Sequence, residues 1–85
     1  MYTVYVIQSL ATRKFYTGHT EDLDRRLNEH NEGLLGKFTK NKGPWIVVYT
    51  EVYPTRSEAI IREKYLKTGA GRDLVKRLLL NNQGS

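Results

Sequence analysis

Cysteine is absent from this sequence of 85 residues, so neither a disulfide framework nor a cysteine-based metal site can be built from it. Histidine is scarce too, and the two that are present, His19 and His30, argue against a histidine-rich zinc site. The first ten residues, MYTVYVIQSL, are too few to span a membrane. They also lack the positive start and small-residue cleavage site of a signal peptide. We therefore expect a cytoplasmic protein with one domain over residues 1–80 and a polar tail over residues 81–85.

Acidic residues are few in the second half of the chain. Residues 1–36 carry four basic and five acidic side chains, a net charge of −1, whereas residues 37–85 carry ten basic and four acidic ones, a net charge of +6. Lys and Arg release condensed counterions when they neutralise phosphates, so a basic half suggests a polyanionic partner. The alternative is a charged surface that only keeps the protein soluble.

The hydrophobic pattern predicts three strands and three helices. The segments YTVYVIQS (2–9) and KFYTGH (14–19) should form a β-hairpin around the turn LATR. WIVVYTEVY (45–53) is the most apolar run, and we expect it to be the central or best-buried strand. The fold class predicted from this order, β-β-α-β-α-α, is α+β, with a small, mostly antiparallel sheet flanked by helices.

The helix ends carry recognisable signals. Thr20 is expected to cap a helix over residues 21–32, which stops at Gly33 and turns Leu23 and Leu27 to the core. Thr55 and Glu58 have capping-box spacing at the start of the next helix, which should end near residues 68–69. Residues 71–82 form the last predicted helix.

A carboxylate interrupts the apolar stripe of the second helix. Ala59, Ile60 and Leu66 define that stripe, and Glu63 stands three residues before Leu66 and four after Ala59. A charged side chain on a packed face is costly unless it is paired or binds a metal ion. The simpler interpretation is a salt bridge from Glu63 to Arg62, Lys67 or Arg26.

Two further pairs are unusual. Arg26 and His30 are spaced i, i+4 beside the leucine stripe of the first helix, where both could meet an anion; a surface Arg and an acid-paired His are the alternative. Tyr5 and Tyr16 lie on the two hairpin strands and can share one sheet face, which is most often simple packing.

Together these positions resemble the GIY-YIG nuclease family, above all its short, single-domain bacterial members. The first motif is TVY (3–5), with Thr3 in place of glycine, and the second is YTG (16–18), with Thr17 in place of isoleucine or valine. Arg26 and His30 follow on a helix, and Glu63 lies on a later helix. Asn81 and Asn82 are positional candidates for an asparagine that many members carry near the end of the domain.

The resemblance implies a metal-dependent endonuclease that cuts DNA. Glu63 would hold one Mg²⁺ or Mn²⁺, and Arg26 would stabilise the charge on the phosphate. Tyr5 would take a proton from the attacking water, as a phenolate or with help from His30 or Tyr16. Tyr16 would orient the phosphate or the water, and Gly18 would let the backbone approach the phosphate.

The remaining basic residues would bind the nucleic acid, which is expected to be DNA. Candidate phosphate contacts are Lys37, Lys40, Lys42, Lys76 and Arg77. Phe38 or Trp45 could stack on an unpaired base, but Trp45 begins an apolar strand and is expected in the core. Two alternatives stay open: a nucleic-acid-binding module with little or no catalysis, and a domain that acts through a protein partner.

Overall fold

A computed structural model describes residues 1–33 and 42–83 of the chain. Three strands and three helices alternate in the predicted order β-β-α-β-α-α, which confirms the α+β class. Their bounds are β1 Tyr2–Ser9, β2 Phe15–Thr20, α1 Leu23–Asn31, β3 Trp45–Tyr53, α2 Arg56–Leu66 and α3 Gly69–Gln83. The first three residues of the predicted polar tail thus belong to α3.

The sheet is antiparallel throughout and has the strand order β2-β1-β3. The prediction that residues 45–53 form the central strand is wrong, because β1 lies in the middle and β3 is at an edge. The apolar run of β3 is long, but Ile46 and Val52 along it are exposed. Hydrophobicity shows which segment is most apolar, but the position of a strand in the sheet depends on which other strands pair with it. β2 forms the other edge, a position that governs the site described below.

The core has two parts, one on each face of the sheet. Val4 and Val6 of β1 pack with Ala59 and Leu66 of α2 and with Val75 of α3. On the opposite face, Tyr5, Ile7 and Trp45 form a second buried group, against which the two leucines of α1 pack. Successive strand residues point to opposite faces, so the near-continuous apolar run of β1 suits a strand covered on both sides.

The start of α1 differs from the prediction, whereas its end agrees with it. Asp22, not Thr20, is the N-cap, and its side chain accepts a hydrogen bond from the Arg25 backbone N–H at 3.1 Å. Thr20 remains in β2, where its hydroxyl bonds the backbone of Asp22. The helix ends as predicted before Gly33, whose φ of 75° is a conformation that favours glycine.

The cap of α2 is confirmed, since the Thr55 hydroxyl accepts from the Glu58 backbone N–H at 3.3 Å. A charged network then ties α2 to β3. Arg62 donates to both carboxylate oxygens of Glu51, at 2.8 Å and 3.0 Å, and the hydroxyls of Tyr49 and Tyr53 also donate to that carboxylate. This network orients the helix that carries Glu63.

Among the described residues, no helix combines the length and the apolar character that crossing a membrane would require.

Candidate active site

A buried polar pair lies on the α1 face of the sheet. The Tyr5 hydroxyl and His30 Nε2 form a hydrogen bond of 2.9 Å, and each residue is only 1% exposed. Tyr5 comes from the central strand and His30 from the last turn of α1. Positions as buried as these are usually occupied by apolar side chains. The pair is therefore more polar than the core requires.

Tyr16 completes a group of three rings with Tyr5 and His30. Its ring centroid lies 4.9 Å from that of His30 and 6.5 Å from that of Tyr5. The strand register explains the arrangement, because Ile7 is opposite Tyr16 and Tyr5 is opposite Gly18, which places both tyrosines on one face. Gly18 has no side chain to obstruct Tyr5: a Cβ atom there would stand 2.5 Å from the Tyr5 hydroxyl oxygen.

Burial keeps both partners of the pair uncharged. It raises the pKa of the Tyr5 hydroxyl above its usual value, and the nearby Tyr16 adds to the effect. Burial also lowers the pKa of His30, and the positive charge of Arg26 lowers it further. At neutral pH the pair is therefore a phenol beside a neutral imidazole. Of the expected ways for Tyr5 to act, help from His30 fits this pair and a free phenolate does not.

Arg26 and His30 both present nitrogen atoms that lack hydrogen-bond partners. Arg26 Nε and His30 Nδ1 are buried, and neither has a partner within the described part of the chain. Arg26 Nε lies 3.4 Å from a Glu29 carboxylate oxygen, which gives an ion pair without hydrogen-bond alignment. Buried donors without partners are uncommon in folded proteins. A guanidinium in this state is suited to receive an anionic oxygen.

Glu63 lies on the opposite face and is already paired. Its side chain is 17% exposed, one carboxylate oxygen contacts His19 Nδ1, and the other accepts from Lys67 Nζ at 2.6 Å. Burial would raise the pKa of this carboxyl, but the hydrogen bonds from Lys67 and His19 outweigh it and hold the pKa below its ordinary value. Glu63 is thus an ionised carboxylate. The simpler interpretation of this residue, a salt bridge to Lys67, describes the structure correctly.

Within the described residues β2 is an edge strand, so the two faces of the sheet meet along its outer side. His19 is opposite Val4, so it points to the α2 side, whereas Tyr16 points to the α1 side. Lys67 spans the edge: its Nζ bonds Glu63 and also lies 5.8 Å from the centroid of the Tyr16 ring. The negative charge of Glu63 contributes to the raised pKa of Tyr5. Through Lys67 and this electrostatic effect, Glu63 is linked to the ring group on the other face.

The fit of a metal ion depends on Glu63. The described residues contain no group of three or more His, Asp or Glu side chains that could enclose a cation. A single carboxylate nevertheless suits Mg²⁺ or Mn²⁺, because such ions keep several waters and accept phosphate oxygens as ligands. Lys67 occupies one of the two carboxylate oxygens, and its side chain is 47% exposed, so solvent leaves it room to move away. The residues present fit a cation held by Glu63.

The predicted nucleic-acid contacts divide into three sets. Lys42 and Lys76 line the same cavity near β2, and Arg77 is exposed elsewhere on α3. Lys37, Lys40 and Phe38 lie outside the described residues, as do the side chains of Asn81 and Asn82. Trp45 is 3% exposed and belongs to the core group of Tyr5 and Ile7, as its position at the start of an apolar strand predicts.

Sequence reasoning missed the role of His19 in holding Glu63. The residue stands only one position after the second motif, but strand alternation turns it away from Tyr16 and Gly18. Its partner could have been found only by knowing that α2 packs on that face. Lys67, by contrast, is readable from its i, i+4 spacing to Glu63.

Comparisons with known proteins show which family this chain resembles over most of its length. The model of the GIY-YIG catalytic domain family matches residues 1–78. UPF0213 proteins from Staphylococcus aureus strains Mu3 and Mu50 are each 40% identical to the chain over 65 residues, which is 76% of this chain and 78% of those proteins. The solution NMR structure of a UPF0213 protein from Bacillus halodurans is similar, with 31% identity and a TM-score of 0.55. That match covers 92% of this chain and 85% of the other.

Proposed function

Because this chain belongs to the GIY-YIG family, a family of nucleases, we propose that it is a metal-dependent endonuclease that hydrolyses DNA phosphodiester bonds. The observation that carries the proposal is the buried hydrogen bond of 2.9 Å between the Tyr5 hydroxyl and His30 Nε2. This pair is able to accept a proton, and it lies beside the guanidinium of Arg26. In the same proposal the enzyme works in the cytoplasm, where DNA repair would supply branched or single-stranded substrates.

Proton transfer is the task of the buried pair. The attacking water gives a proton to the Tyr5 oxygen while the Tyr5 hydroxyl passes its own proton to His30 Nε2, so the proton ends on His30 as an imidazolium. A neutral histidine is required at the start, and the lowered pKa of His30 provides it. The Tyr16 ring, 4.9 Å from that of His30, limits the space in which the water and the phosphate can lie.

Charge stabilisation is the task of Arg26 and Glu63. The unpaired Nε–H of Arg26 donates to a non-bridging oxygen of the scissile phosphate, where negative charge grows during attack. Glu63 would hold the divalent cation, which when bound polarises the phosphate and stabilises the leaving oxygen. Lys67 must leave the carboxylate of Glu63 first, and the phosphate offers the displaced ammonium another anionic partner.

The test is cleavage of a panel of labelled nucleic acids. Duplex, single-stranded, flap and four-way-junction DNA, with matching RNA, are incubated with Mg²⁺ or Mn²⁺ and with EDTA. Glu63→Gln should abolish cleavage but keep binding, and Glu58→Gln on the exposed side of the same helix is its control. Tyr5→Phe removes the proton acceptor, so the cleavage rate should fall about 10²–10⁴-fold.

A second candidate function is supported by the pairing of Glu63. Both of its carboxylate oxygens have partners in the chain, so the carboxylate can be structural and the protein a nucleic-acid-binding module with little or no catalysis. If the wild-type protein binds the panel, cuts none of it with either metal, and Glu63→Gln binds equally well, this second function is the correct one.

A further inference from the structure

A cavity of about 410 Å³ opens between β2 and the start of α3. Phe15 and Thr17 of β2 line one side, and Leu66, Arg72 and Val75 line the other. Tyr16 also lines it, so the cavity borders the residue whose ring packs against Tyr5 and His30. Its size falls in the range of pockets that hold small organic ligands.

The charges around the cavity are all of one sign. Lys14, Lys42, Arg72 and Lys76 line it, and among residues 1–33 and 42–83 no acidic side chain does. Within the part of the chain that the structure describes, Lys14, Arg72 and Lys76 take part in no ion pair. Several cations around one concavity repel each other, and an anion with several oxygens would relieve that repulsion. Phosphate is such an anion, and Arg72 offers it a fork of donors.

Aromatic side chains provide a second kind of surface in the same cavity. Phe15 is 42% exposed although it lies on a strand, and its ring faces the side of the sheet that α2 and α3 cover. An exposed ring beside unpaired cations is typical of proteins that bind single strands, where bases stack on aromatic rings and cations follow the backbone. Trp45, the one tryptophan of the sequence, also borders the cavity, but it is 3% exposed and serves as a fluorescent reporter rather than a stacking surface.

The distance from the cavity to Glu63 is short. Phe15, Thr17 and His19 alternate along one face of β2, and His19 contacts Glu63. At about 3.3–3.4 Å per strand residue, Phe15 lies roughly 13 Å along the strand from His19. A strand of nucleic acid that passes Glu63 therefore reaches the cavity within a few nucleotides.

We propose that this cavity holds one unstacked nucleotide of the bound strand, a few positions from the cut. Its base lies against Phe15, and the flanking phosphates contact Arg72 and Lys76. The proposal rests on the proposed function, in that it takes nucleic acid as the ligand. It also gives that function a preference, because a duplex would have to unstack a base to fill the cavity, whereas single strands, gaps and flaps need not.

The experiment measures binding in EDTA, so that cleavage plays no part. Fluorescence anisotropy gives the affinity for a labelled ten-nucleotide single strand, for the same strand with abasic sites, for its RNA equivalent and for a duplex. Arg72→Gln is compared with Arg56→Gln, an exposed arginine at the start of α2 that does not line the cavity. Circular dichroism checks that each variant is folded, and the exposure of Arg72 and Phe15 makes both changes tolerable.

Arg72→Gln should weaken single-strand binding by about tenfold and lower the slope of log K against log salt by about 0.7, whereas Arg56→Gln should change neither. Phe15→Ala should weaken binding of the intact strand, leave the salt slope unchanged and have no effect on the abasic strand. The fluorescence of Trp45 should change with the intact strand more than with the abasic one.

Equal losses for Arg72→Gln and Arg56→Gln would show a diffuse electrostatic surface and overturn the proposal. So would a Phe15→Ala effect of the same size on the abasic strand. Both results are independent of the cleavage assay. If the protein does not cut but shows Phe15-dependent binding, the proposal for the cavity is supported and the proposed nuclease function is refuted.

Discussion

Replacing Gly18 by alanine is expected to disrupt the Tyr5–His30 pair and to destabilise the protein. The new Cβ would lie 2.5 Å from the Tyr5 hydroxyl oxygen and 2.8 Å from its Cζ atom, both closer than atoms in van der Waals contact allow. Tyr5 is buried and bonded to His30, so its rigid ring has no free direction in which to move. The conformation of Gly18 needs no positive φ, so the effect is steric alone.

The magnitude follows from two costs and one gain. Overpacking a core costs about 1–3 kcal/mol, and loss of the hydrogen bond costs about 0.5–1.5 kcal/mol. Alanine also restricts the unfolded chain, which returns about 0.4–1 kcal/mol. The free energy of unfolding should therefore fall by about 0.5–4 kcal/mol. For a domain of this size, each kcal/mol lowers Tm by about 4–8 °C.

Thermal unfolding followed by circular dichroism measures the effect. The matched control is Gly69→Ala at the start of α3, where no atom lies within 4 Å of the added Cβ, and its Tm should equal that of the wild type or exceed it. In a Tyr5→Phe background the closest contact is gone, so Gly18→Ala should cost less there than in the wild type. A Gly18→Ala protein as stable as the Gly69→Ala protein, or a cost that Tyr5→Phe leaves unchanged, would refute the steric reasoning.

Two other predictions concern charges. Burial would raise the pKa of Glu51, but Arg62 and two tyrosine hydroxyls outweigh it and hold that pKa at about 2. The folded pKa is thus below the unfolded one, so the contribution of Glu51 to stability is complete above about pH 4.5 and disappears as the pH falls to about 2. Glu51→Gln should lower the free energy of unfolding by about 1–3 kcal/mol at pH 7 and by almost nothing near pH 2. A difference in urea midpoint between wild type and variant that stays constant with pH would contradict this. Lys67→Met removes the ammonium from Glu63 and should tighten Mn²⁺ binding by about tenfold in calorimetry, with Lys64→Met as control, and weaker binding would show that Lys67 does not compete with the cation.

Local signals carried most of the fold. β-branched and aromatic content identified residues 2–9 and 45–53 as strands with their observed bounds, and capping chemistry identified Thr55 as a helix start. The prediction failed at the start of α1, where two nearby residues can each act as the N-cap. Thr20 and Asp22 are both good N-caps, and the backbone adopts the helical conformation only after Asp22, since Thr20 is still paired with Thr3 in the sheet.

The site could be predicted only in part, because local sequence patterns position some of its residues and long-range packing positions the others. Tyr5, Tyr16 and His30 follow from strand alternation and helix spacing, and the structure brings their rings together. The position of Glu63 beside His19 depends instead on which sheet face α2 covers, and no short-range pattern encodes that choice. The same reason explains the error about β3, since strand order is decided by long-range pairing.

The middle strand of the sheet is made first, and its cover on one side is made last. Val4 and Val6 are buried by Ala59, Leu66 and Val75, which follow them by about 70 residues at the farthest. At a synthesis rate of about 5–20 residues per second, those two valines wait roughly 3–14 s for their partners to emerge from the ribosome. They pair early with β2, but an isolated two-stranded hairpin is marginally stable at best. Pairing with β2 alone therefore does not protect them. During synthesis, the apolar α2-facing side of β1 therefore stays without its covering helices for seconds.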